Sequence, residues 1–147
     1  MTYYEWVTVF DELKSGPRNE ALLNNLYKKS IDLEGNILYR FIIHINDLVR
    51  TRLKNSLDSI LYKIQSIYQD TNALSLEIIN IKKELAFAKK ITNLPVIPNE
   101  NKNKFRETLQ NFANEINDTL MASVNGIDTT GEVTSMIKNS KINVLED

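Results

Sequence analysis

Residues 36–92 read NILYRFIIHINDLVRTRLKNSLDSILYKIQSIYQDTNALSLEIINIKKELAFAKKIT, and no glycine or proline interrupts the chain between Gly35 and Pro95. Loops and tight turns draw on those two residues for their dihedral angles, so a stretch of this length without them predicts helix. Its apolar residues keep a helical period: Leu38, Phe41, Ile45, Val49, Leu53 and Leu57, then Ile60, Ile64, Ile67, Thr71, Leu74, Ile78, Ile81, Leu85 and Ala88. From Leu57 onward the spacing alternates between three and four, the heptad pattern of a coiled-coil seam. The steps of four from Ile45 to Leu57 form a stutter. Three poor helix formers in Gln69-Asp70-Thr71-Asn72 offer a place for a bend or a hairpin. Thr71 and Leu74 nevertheless stay in register, which favours a continuous or merely kinked helix of about 84 Å at 1.5 Å per residue.

Outward from this stretch the elements are shorter. Tyr3, Trp6, Val7, Phe10 and Leu13 mark an amphipathic helix closed by Ser15-Gly16-Pro17, and Asn19 caps a second one over residues 20–30 whose apolar side is Leu22, Leu23, Leu26 and Tyr27. Downstream, Asn93 to Asn103 with Pro95 and Pro98 predicts a chain reversal. Phe105, Leu109, Phe112, Ile116 and Leu120 then share one face of a helix running up to Gly126. Thr129 and Glu132 resemble a capping box for a short turn through Ile137, and Lys141–Leu145 is strand-like in composition. The expected fold is all-α: an elongated helical bundle with one very long helix, or an antiparallel helical hairpin with coiled-coil character. It occupies residues 1–126 and leaves 127–147 as linker and C-terminal tail.

A chain of 147 residues with 42% apolar content is the size of one domain. Such a chain cannot cover an apolar ribbon of that length if the helix is straight, so the seam is expected to recruit another chain into a stable oligomer. Leu57, Ile60, Ile64, Ile67, Leu74, Ile78, Ile81 and Leu85 are the candidate interaction residues on it. With no cysteine, disulfide frameworks, Cys-ligated metals and thiol nucleophiles are excluded. The mean hydropathy of −0.30 and the aromatic, acidic start of the chain show neither a membrane span nor a signal peptide, which makes an intracellular location in cytoplasm or nucleoid the expectation.

Chemistry-bearing constellations are sparse. His44, the single histidine, lies three residues before Asp47 and four after Arg40, without a second histidine or a glycine-flanked serine, and reads as a packed helix residue. Carboxylates are scattered and the glycines never gather into a phosphate cradle. No catalytic residue, metal or cofactor is therefore expected. Charge is uneven: 4 basic and 6 acidic residues in 1–35 give −2, 9 and 5 in 36–92 give +4, and 5 and 8 in 93–147 give −3. Arg50, Arg52 and Lys54 are the densest basic cluster, but Arg50 and Arg52 point about 160° apart on a helix, so they build no flat patch alone. Nucleic-acid binding is accordingly expected to be weak or indirect.

The order of two short helices, a long helix carrying Leu48-Val-Arg50-Thr-Arg52-Leu53-Lys54, a helical stretch with Glu84-Leu-Ala-Phe-Ala-Lys89 and a linker resembles the helical domain of GINS subunits of the Sld/Psf type. The resemblance implies a non-catalytic scaffold subunit of a DNA replication complex, assembled with other helical subunits and linking the MCM helicase to a RecJ-like partner. It also implies that Arg50, Arg52, Leu53 and Lys54 serve packing and ion pairs at subunit contacts, and that residues 127–147 are the remnant or start of a small β domain. A coiled-coil adaptor or inhibitor acting outside replication is the competing reading, and a small helical nucleic-acid-binding protein a third.

Overall fold

The structure is a computed structural model that describes residues 3–67, 70–125, 131–139 and 142. Helix α1 spans Tyr3–Ser15 and α2 spans Glu20–Lys29. Between them Gly16 continues the last turn of α1 by donating its N–H to the Glu12 carbonyl at 3.0 Å. A Cβ at Gly16 would lie 2.6 Å from that same oxygen, so the turn requires glycine. Pro17, with no N–H to offer, then prevents further helix. Asn19 caps α2 as expected, its side chain accepting the Leu22 N–H at 3.1 Å. Gly35, at φ +60°, opens the next helix in the left-handed region.

The long stretch is two helices, α3 (Gly35–Ile67) and α4 (Thr71–Thr92). This corrects the continuous helix favoured by the heptad phase and selects the hairpin. Asp70 is the reason: its extended backbone leaves the helical region, and its carboxylate accepts the Ala73 N–H at 3.1 Å to start α4 afresh. Arg52 pairs with Glu84, 32 residues away, and Lys63 with Glu77, 14 away. Along an unbroken helix those separations would be about 48 and 21 Å, so the arms run antiparallel. The heptad phase could not reveal the fold-back, because each arm sets its own stripe toward the other.

The remaining helices wrap this hairpin. Helix α1 runs parallel to the first half of α3, with Trp6 and Phe10 meeting Phe41 at ring separations of 5.4 and 5.2 Å and Lys14 paired with Asp47 further along. Each four-residue step from Ile45 to Leu57 turns the apolar stripe by about 40° around α3. The stutter thus carries the stripe from the α1 side toward the α4 side. After a reversal through residues 93–98, α5 (Asn99–Val124) packs on α4 and α3, and α6 (Glu132–Asn139) packs on α5. Phe105, Leu109, Ile116 and Leu120 are buried as their spacing predicts, with Ala113 beside them.

One core joins all of this. Leu57, Ile60, Ile64, Leu74, Ile78, Ile81, Leu85 and Ala88 are buried within the chain, and Ile67 is packed against them. The apolar ribbon is thus covered by the chain's own helices, and the argument that it must recruit another chain loses its premise. Val133, Ile137 and Ile142 join the same core, which thus extends past residue 126 to take in helix α6. Asn117 holds Ile142, donating to its carbonyl at 2.8 Å and accepting its N–H at 3.1 Å. Thr129 and, apart from Ile142, the strand-like Lys141–Leu145 lie outside the described residues.

Two outcomes follow from the hairpin. Spin labels at Lys54→Cys and Lys82→Cys should report neighbouring helices about 10 Å apart between axes, against about 42 Å along a straight helix. Ile64→Asp or Ile78→Asp should lower the unfolding free energy by roughly 3 kcal/mol or more in chemical denaturation, because each buries an unpaired charge.

Candidate functional site

Among the described residues the buried charge is concentrated where α1 ends, at Arg52 of α3 and Glu84 of α4. Arg52 and Glu84 are only 8% and 7% exposed. Arg52 makes a two-pronged contact, Nε to Glu84 Oε2 at 3.1 Å and Nη2 to Oε1 at 2.8 Å. Its Nη1 donates to the Leu13 carbonyl and, at 2.7 Å, to that of Gly16. One guanidinium therefore closes the C-terminus of α1, whose last carbonyls have no partner within the helix, and holds α3 to α4. Glu84 takes a further bond from Arg18 at 2.9 Å, and the Phe87 ring lies 5.2 Å from the Arg52 guanidinium carbon. Only arginine supplies this geometry, since lysine has no planar fork.

Above this pair opens a polar cleft of about 220 Å³, lined among others by Ser15, Asn55, Ser56, Ser59, Asn80 and Glu77. Its ionic groups are already matched: Arg52 with Glu84, Glu77 with Lys63, Lys14 with Asp47. The cleft is thus a neutral, hydroxyl- and amide-lined recess. No group of three or more metal-ligating side chains exists among the described residues. His44 packs between aromatic rings, 5.0 Å from Trp6 edge-on and 6.3 Å from Phe10 with the planes parallel, in keeping with its reading as a packed residue.

The residues singled out from the sequence separate by burial. Arg52 and Leu53 point inward, whereas Arg50 and Lys54 are exposed, with Arg50 bonded to Asn46 one turn back. The 160° between the two arginines thus divides them between core and surface. Arg52 makes its ion pair inside the chain, with Glu84. The seam residues Leu57, Ile60, Ile64, Leu74, Ile78, Ile81 and Leu85 are likewise in the core.

The sequence reading missed Glu84 as the partner of Arg52, and it missed the outward apolar residues. Tyr39 and Ile43 lie one turn apart on α3, Tyr62 stands near its end at 89% exposure, and Leu76 and Ile79 lie on α4. The signal available for them was three- and four-residue spacing off the main stripe.

Fold and site together define an all-α bundle closed by a buried ion pair. No protein-family model matches the chain, and no curated protein or solved structure matches it either. No helix among the described residues is long and apolar enough to cross a membrane.

Arg52→Ala should cost about 3–5 kcal/mol, because it strands a buried carboxylate. Arg52→Lys should recover little of that loss. A double-mutant cycle with Glu84→Leu should return a coupling on the order of 1–3 kcal/mol in denaturant titrations.

Proposed function

We propose that this protein is a non-catalytic helical scaffold that works by binding other proteins. The observation that supports the reading is the pairing of large apolar side chains on outer helix faces, Tyr39 with Ile43 and Leu76 with Ile79, in a chain whose core is already complete. Isolated exposed apolar residues are ordinary, but neighbours one turn apart make a contiguous patch, and such patches serve as contact surfaces. Arg50 and Lys54 extend the α3 patch with exposed cations.

The specific form of the proposal comes from the resemblance to GINS subunits: assembly with other helical subunits into a replication complex that joins the MCM helicase to a RecJ-like protein. An adaptor or inhibitor outside replication uses the same surfaces on another partner. Cross-linking and affinity isolation of the tagged chain from its own cells decides between them. The replication form predicts co-purifying helical subunits together with MCM helicase. A single different protein in stoichiometric amount selects the adaptor, and a chain isolated alone overturns the scaffold reading. Arg50→Glu with Lys54→Glu should weaken that assembly while shifting the unfolding free energy by no more than about 0.5 kcal/mol, as expected of surface substitutions.

A further inference from the structure

Helix α4 carries a second stripe at heptad spacing, on the side opposite the one it buries. Asn72, Leu76, Ile79, Lys83, Ala86 and Lys90 follow one another at intervals of four and three, and all six are exposed. Residues at these spacings line one face of a helix. The face spans about 27 Å at 1.5 Å per residue. Leu76 and Ile79, at 66% and 44% exposure, form its apolar half. Lysines dominate the other half.

The charge of this face has one sign. Helix α4 has two carboxylates, Glu77 and Glu84, and both are engaged by cations of α3, at Lys63 and Arg52. Lys82 and Lys83 have no carboxylate partner among the described residues, and Lys90 reaches only an exposed contact with Glu20. Folding has therefore drawn the negative charge of α4 inward and left aliphatic side chains and ammonium groups outside. An isolated apolar stripe would suit many partners; lysines continuing it along the same heptad line suit a narrower set.

We infer that the outer face of α4 is the docking site for an acidic amphipathic helix of a partner protein. Its apolar residues would lie on Leu76 and Ile79, and its carboxylates against Lys82 and Lys83. This rests on the scaffold reading above and adds the place and the chemistry of the partner. The complementarity follows coiled-coil pairing, with Leu76 and Ile79 supplying contact on the heptad line, while Lys83 and Lys90 further along it and Lys82 beside it choose a partner with carboxylates opposite them.

The test uses the full chain and a synthetic helix of about three heptads, with Leu at its a and d positions and Glu at e and g, beside a control with Lys in place of Glu. Isotope-edited NMR should show saturable shifts at Leu76, Ile79, Lys83 and Ala86 with the Glu peptide, and binding that weakens as salt rises. The Lys control should bind at least tenfold more weakly. Leu76→Ser should weaken the Glu peptide at least tenfold, and Lys82→Glu with Lys83→Glu should reverse the preference between the two peptides, with melting unchanged in both variants. Equal binding of both peptides, shifts confined to the Tyr39 and Ile43 face, or insensitivity to Leu76→Ser would overturn the assignment. So would a homodimer in light scattering that Leu76→Ser dissolves, which identifies a second copy as occupant, or sedimentation with anionic lipid vesicles that the same variant abolishes. If partners isolated from cells still bind the α4 variants, this site is wrong and the scaffold reading stands. If the chain binds no partner at all, the scaffold reading itself fails.

Discussion

The buried pair of Arg52 and Glu84 is the constraint on which the arrangement of helices depends. Removing an arginine and a glutamate from water costs several kcal/mol per ion, and their attraction offsets this only when the remaining donors and acceptors are also satisfied. The structure meets that condition by recruiting α1. Two carbonyls at its C-terminus accept both Nη1 protons, while Arg18, just past α1, gives Glu84 a third bond. The pair thus sets the register of α3 on α4 and fastens to them the end of α1, which Gly16 and Pro17 define. Apolar packing alone would tolerate small sliding of these helices, since Leu and Ile surfaces are forgiving of shape. A forked hydrogen-bonded contact is not.

Much of the fold was legible in the residue pattern. The absence of glycine and proline between Gly35 and Pro95, the cap at Asn19 and the reversal at Pro95 and Pro98 each correspond to an observed boundary. The fold-back at Asp70 was not, because a periodicity argument sees only the face each residue occupies. Two antiparallel arms that bury facing stripes can show the same three-and-four spacing as one long helix. What distinguishes them is the capping chemistry of a single aspartate, and the same side chain in mid-helix would have been read as a minor penalty. The error then propagated: a straight helix would leave its seam uncovered, whereas the hairpin covers it.

The candidate site was less legible than the fold. Composition placed Arg50, Arg52 and Lys54 together, and helical geometry separated the first two. Nothing in the local sequence says that Glu84 lies opposite Arg52, because that proximity is created by the turn 14 residues before Glu84. The outer stripe of α4 escaped for a different reason. Lysine at two of its positions breaks the apolar pattern that a search for seams relies on, although those lysines give the face its selectivity.

The way the pair is built has a kinetic side. Helices α3 and α4 are joined by three residues, so their closure is a local event with little loop entropy to overcome. Helix α1, by contrast, is separated from α3 by the whole of α2 and docks on α3, where its last carbonyls meet Arg52. Detachment of α1 would return those carbonyls to water and take from the guanidinium two of the acceptors that let it stay buried on Glu84. The first helix therefore belongs to the same cooperative unit as the hairpin: fraying at its C-terminus weakens the contact that fastens α3 to α4.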